Sequence, residues 1–184
     1  AGANTFTMGD AAGVNDGGTD AVTTSSAFVV SGAATDDSLT FEVASSVVDL
    51  NSASITTTGV ETLTISNSKE DTTYDIGAIS MTASSGGATT VNFVGSKNAN
   101  ANAITAQTID ASGLTGSATF TMDNAAVTVT TITGSANADT LIGDAASTIS
   151  GMAGNDTITG GAGNDVLNAG GGDDQITIAA GKDT

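Results

Sequence analysis

The sequence predicts an all-β protein: a right-handed parallel β-solenoid, or β-helix, that continues into a parallel β-roll, with very little helix. Three observations carry this. The C-terminal part repeats itself with a period of nine residues, short apolar–polar alternations recur through the rest, and no segment shows the apolar period of an amphipathic helix. Composition agrees. Five Phe, one Tyr and no Trp leave the interior to Val, Ile, Leu, Ala and the methyl groups of Thr, which suit a thin layer better than a thick sandwich.

Along the first 133 residues, alternation marks strands at Thr5–Met8, Leu39–Val43, Thr62–Ile65, Thr90–Val94, Ala118–Met122 and Val127–Thr130, separated by turn-forming Gly, Asn, Asp and Ser. Strands at short intervals without helical crossovers point to coils of a solenoid. From Gly134 the period of nine takes over: 134–142 (GSANADTLI), a shortened unit at 143–150, then 151–159 (GMAGNDTIT), 160–168 (GGAGNDVLN), 169–177 (AGGGDDQIT) and a partial unit at 178–184. In this register Asp139, Asp156, Asp165, Asp174 and Asp183 share position six, and Leu141, Ile149, Ile158, Leu167 and Ile176 supply the apolar residue near position eight. The expected division is therefore a Thr- and Ala-rich solenoid over 1–133 and a roll over 134–184, together a module of a longer tandem protein.

Glycine takes the positive φ of a tight turn, and the three residues that follow make a short strand with one inward side chain. If two nonapeptides complete one coil, an Asp in one unit meets the Asp two units later, which pairs Asp156 with Asp174 and Asp165 with Asp183. Stacked carboxylates repel unless a cation lies between them, and a site made of oxygen alone favours Ca²⁺ over zinc or copper. The preference for Asp supports this, because only Glu42, Glu61 and Glu70 among the 20 acidic residues are Glu. The shorter arm suits a tight metal loop. Near the N-terminus, residues 15–22 have the form of a degenerate calcium loop, with Asp16 and Asp20 as its carboxylates.

The nonapeptides resemble the RTX family of secreted proteins, whose signature is G-G-x-G-x-D-x-U-x with U a large apolar residue. That resemblance implies a calcium-binding β-roll whose ligands are the position-six Asp and the carbonyls of positions one and three. Carried over, they are Gly151, Ala153 and Asp156; Gly160, Ala162 and Asp165; Ala169, Gly171 and Asp174; and Ile178, Ala180 and Asp183, with Asp139 at position six of the first unit. Ser147 stands where the shortened unit would carry its Asp, and Lys182 adjoins Asp183. The stretch Thr58–Ile65 (TGVETLTI), set in a Thr-rich solenoid ahead of such repeats, is similar to calcium-dependent surface-layer proteins of the Caulobacter type.

The formal net charge of −17, with Lys69, Lys97 and Lys182 as the only basic residues, argues against nucleic acid and anionic membranes as partners. No Cys is present, so no disulfide and no thiolate site can form, and no His is present, so a Ser-His-Asp triad and a zinc hydrolase site are excluded within this chain. The pairs Asp36/Asp37 and Glu70/Asp71 are adjacent in sequence and would point to opposite faces of a strand, unsuited to a glycosidase. No apolar stretch approaches a membrane span. The expectation is a non-enzymatic, secreted structural protein of the bacterial cell surface. It would bind several Ca²⁺ and assemble with copies of itself into a layer or fibre, with cell-surface polysaccharide as a further partner class. An accessory roll of a secreted enzyme and a calcium-stiffened adhesin spacer are the alternatives.

Overall fold

The computed structural model describes residues 3–8, 27–31, 37–43, 50–67, 74–83, 87–123 and 128–184, and among them every regular element is a strand. In chain order these are β1 (Ala3–Met8), β2 (Ala27–Ser31), β3 (Ser38–Val43), β4 (Leu50–Thr58), β5 (Thr62–Asn67), β6 (Tyr74–Thr82), β7 (Thr90–Gly95) and β8 (Ala99–Thr105). They continue as β9 (Thr108–Leu114), β10 (Phe120–Met122), β11 (Thr131–Thr133), β12 (Thr140–Ile142), β13 (Thr148–Ser150), β14 (Thr157–Thr159), β15 (Val166–Asn168) and β16 (Gln175–Thr177). Odd strands form one sheet in the order β1-β3-β5-β7-β9-β11-β13-β15, and even strands form a second in the order β2 through β16. All pairings are parallel, so each coil contributes one strand to each sheet: a two-sided parallel β-solenoid that runs into a β-roll.

Period-two alternation places the core between the sheets. In the odd sheet Leu39, Leu63, Val91, Ile109, Ile132, Ile149 and Leu167 stack in register from coil to coil. Facing columns come from Ile55, Ile79 and Ile104, and further along from Leu141 and Ile158. Aromatic rings fill the wider coils, where Phe93 and Phe120 meet across the sheets with centroids 4.7 Å apart. The coil narrows along the chain. Corner residues one coil apart are separated by 24 positions at Asp37 and Glu61 but by 18 at Asp165 and Asp183. The strands shorten from nine residues in β4 and β6 to three from β10 onward, and from β11 the single inward side chain is the central one.

Two readings of the sequence change. The alternation at Val127–Thr130 is not a strand over its described residues: Thr128 sits at φ +63°, a turn conformation, and β11 begins at Thr131. The even strands β2, β4, β6 and β8 carry no alternation strong enough to read. β4 (LNSASITTT) and β8 (ANANAIT) are built from small and polar residues, held as strands by parallel neighbours on both sides.

Candidate metal centre

Each coil turns a corner immediately before a strand, and the residue at that corner is tied to the coil before it. Ahead of the even strands the N–H of Asp139 donates to Asp156 Oδ1 at 2.9 Å, and the N–H of Asp156 donates to Asp174 Oδ1 at 2.9 Å. Ahead of the odd strands the N–H of Ser147 donates to Asp165 Oδ1 at 2.8 Å, and that of Asp165 to Asp183 Oδ1 at 3.0 Å. Two acid ladders therefore climb the roll, one per sheet: Asp139, Asp156, Asp174 and Ser147, Asp165, Asp183. One oxygen of each stacked carboxylate is used in holding the coils together.

The other oxygen is the informative one. Asp156 Oδ2 and Asp165 Oδ2 are fully buried and accept no hydrogen bond. A buried carboxylate oxygen without a donor is costly, and such atoms in a native fold call for an ion or water. Their surroundings supply more oxygen. A Cβ placed on Gly151 would collide with both Asp156 Oδ2 and the carbonyl of Ala169, the position-one residue of the next coil. A Cβ on Gly160 would lie 2.7 Å from Asp165 Oδ2. At Gly151 the missing side chain thus leaves a cradle lined by anionic and carbonyl oxygen, and at Gly160 one that faces the carboxylate. Ca²⁺, which takes about six to eight oxygen ligands, fits this donor set, whereas zinc and copper prefer nitrogen or sulfur that no residue here offers.

The other residues expected to act as ligands lie on the same turns. The backbones of Ala153 and Gly171, and of Ala162 and Ala180, form isolated parallel bridges between consecutive coils. The carbonyls of Gly171 and Ala180 already accept N–H groups from Gly154 and Gly163 at 2.8 and 2.7 Å, leaving one lone pair on each. Ile178 opens the last turn and is exposed. Ser147 brings no carboxylate; its Oγ donates to the carbonyls of Val129 and Ala145 at 3.2 and 2.9 Å. Asp139 is placed at the same corner as Asp156, but its oxygens take donors from Phe120 and Ser135. Asp16 and Asp20 lie outside the described residues.

Sequence reading missed the position-five asparagines. Asn155 Oδ1 accepts the N–H of Asp173 at 3.0 Å and Asn164 Oδ1 that of Lys182 at 2.9 Å, a second rail beside the acid ladder. The signal was the recurring Asn-Asp pair at 155–156 and 164–165, in phase with the repeat.

Burial raises the pKa of Asp139 and Asp156 from the ordinary aspartate value. For Asp139 desolvation is the main cause, opposed by the hydrogen bonds from Phe120 and Ser135 and reinforced by the charge of Asp156. For Asp156 desolvation again leads, with the N–H of Asp139 opposing it and the charge of Asp174 adding to it. Without a cation Asp139 and Asp156 resist ionisation. A bound Ca²⁺ would supply positive charge to offset that repulsion, and Asp156 and Asp165 with the position-one carbonyls are the residues that would hold it.

No curated protein and no solved structure matches the chain. Residues 131–147 and 143–176 match the family model of the RTX calcium-binding nonapeptide repeat, built of four copies, so the turns that carry the unsatisfied carboxylate oxygens lie within RTX calcium-binding repeats.

Proposed function

We propose that this chain is a secreted structural module whose roll folds on calcium and which joins with copies of itself into a layer or fibre on a bacterial cell surface. The observation that carries the calcium half is the pair of buried, donor-free oxygens on Asp156 and Asp165, the first of them beside the carbonyl of Ala169. Before export, at low cytosolic Ca²⁺, the acid ladders repel; outside the cell, ion binding becomes folding energy. The assembly half is supported by the small, stackable residues of the solenoid and by the likeness of Thr58–Ile65, ahead of the repeats, to surface-layer proteins. The absence of His and Cys supports a non-enzymatic role. In this reading residues 1–133 are the body of the module and 134–184 its calcium-governed part, with surface polysaccharide as an attachment partner.

The test is electron microscopy with circular dichroism on protein dialysed from EDTA into millimolar Ca²⁺. Ordered sheets or fibres appearing together with added β-structure are expected. Dispersed folded monomers would instead favour an accessory roll of a secreted enzyme or an adhesin spacer, and a β-signal indifferent to Ca²⁺ would remove the calcium half as well.

A further inference from the structure

The first nonapeptide has the sequence phase of a calcium loop but a different backbone. In the full repeats, position two lies at positive φ in Met152 (+78°), Gly161 (+90°) and Gly170 (+100°), and position four does so in Gly154, Gly163, Gly172 and Gly181. In residues 134–142 those places belong to Ser135 and Asn137, and neither is at positive φ. The consequence falls on Asp139. Its Oδ2 accepts the N–H of Ser135 at 2.5 Å, and its Oδ1 accepts the Ser135 hydroxyl at 2.8 Å and the Phe120 N–H at 2.6 Å. The oxygen that has no donor at Asp156 and Asp165 is occupied here by the protein itself. A cation would have to displace that donor to reach it.

We infer that the turn from Ser135 to Asp139 is a metal-free seam, in which the Ser135 N–H on Oδ2, backed by the Ser135 hydroxyl on Oδ1, stands in for the cation and presents a finished edge on which the calcium-dependent coils are laid. The seam is anchored on the solenoid side, where Asn137 Nδ2 donates to the Ala118 carbonyl at 2.9 Å. On the roll side it offers the Asp139 N–H to Asp156 Oδ1 and the Gly134 N–H to the Ser150 carbonyl. The coils that follow contain the donor-free oxygens. Calcium-driven folding therefore starts at Asp156, against a template already in place, and proceeds toward the C-terminus. The inference rests on the calcium reading of Asp156 and Asp165.

The experiment counts bound calcium on the full chain by equilibrium dialysis and follows amide exchange by mass spectrometry, in EDTA and in Ca²⁺. Asp156→Asn is the control for the calcium reading: it must lower the ion count, and if it does not, that reading fails independently of the seam. Asp139→Asn is expected to leave the count unchanged, and in EDTA the amides of 134–142 should stay protected while those of 151–184 exchange freely. Loss of an ion in Asp139→Asn, or exchange of 134–142 together with the roll, overturns the seam. Should Asp139→Asn fail to fold, the variant S135G/N137G tests the same point by restoring glycine at positions two and four. It is expected to bind one more ion than the parent, and no gain counts against the inference.

Discussion

A single unsatisfied atom can decide between a tolerated and an instructive residue, and Thr57 and Asp156 illustrate the two cases. Both bury a side-chain oxygen without a partner. Asp156 keeps its anionic oxygen in a cradle of other oxygens, whereas Thr57, fully buried on β4, has its hydroxyl in the core beside the isoleucine columns. An isolated buried hydroxyl costs about 1–3 kcal/mol in desolvation, and valine has nearly the same shape without the penalty. Thr57→Val should therefore raise stability by about 1 kcal/mol, read as a higher urea midpoint at unchanged slope. Asp156→Val should not. The aspartates were legible in the sequence because a period of nine fixes their phase, and one phase means one corner of the coil. Their difference was not: Asp139 shares the phase of Asp156, and only the backbone of Ser135 separates a satisfied carboxylate from an open one.

At the scale of the turn, glycine does two separable jobs, and the structure distinguishes them. Gly154 sits at φ +122°, and a Cβ there would lie 2.6 Å from the backbone N of Ala138 and the carbonyl of Asn137 in the coil before it. Gly171 is at a comparable turn, yet it is not at positive φ and a Cβ would meet nothing within 4 Å. Gly154→Ala should cost at least about 2 kcal/mol, from strain and from pushing two coils apart. Gly171→Ala should change stability by less than about 0.5 kcal/mol. Urea denaturation of both variants in saturating Ca²⁺ measures the contrast, and equal costs would show that turn propensity rather than coil spacing selects glycine. Strands divide in the same way between what is local and what is not. Those of the odd sheet announce themselves through pairs such as Leu63 and Ile65 or Val91 and Phe93, because large inward residues alternate with Thr or Asn. The even strands are specified by neighbours two strands away in sequence, so β4 and β8 lack that signature, and the Thr128–Thr130 alternation has it without being a strand. Parallel pairing across a whole coil is a non-local interaction, and no local pattern encodes it.

Over the whole molecule the core thins from phenylalanine-filled coils to single aliphatic columns, while acid accumulates at the corners of the narrow end. The wide coils bury enough apolar surface to hold themselves; the narrow coils, with one inward residue per strand, depend on how their carboxylates are neutralised. Protons and calcium are two ways of doing so, and they act with opposite dependence on pH. In the calcium-free protein Asp139 and Asp156 have pKa values raised by burial, so between the unfolded value of 3.8 and the raised folded value the native state holds more protons than the unfolded chain. Stability then falls as pH rises through that window: the contribution is complete below the unfolded pKa and gone above the folded one. Relief of the net charge of −17 on acidification acts in the same direction. In saturating Ca²⁺ the sign reverses, because an ion needs the ionised carboxylate and protons compete with it. The melting temperature of decalcified protein should therefore climb on acidification from neutral pH toward the carboxylate range, and that of the calcium-loaded protein should fall over the same interval. Thermal unfolding in both states at matched ionic strength checks this. Parallel slopes would mean that the corner carboxylates do not exchange protons for calcium, whereas crossing slopes would make the narrow end of the solenoid a fold whose stability is set by which cation occupies its corners.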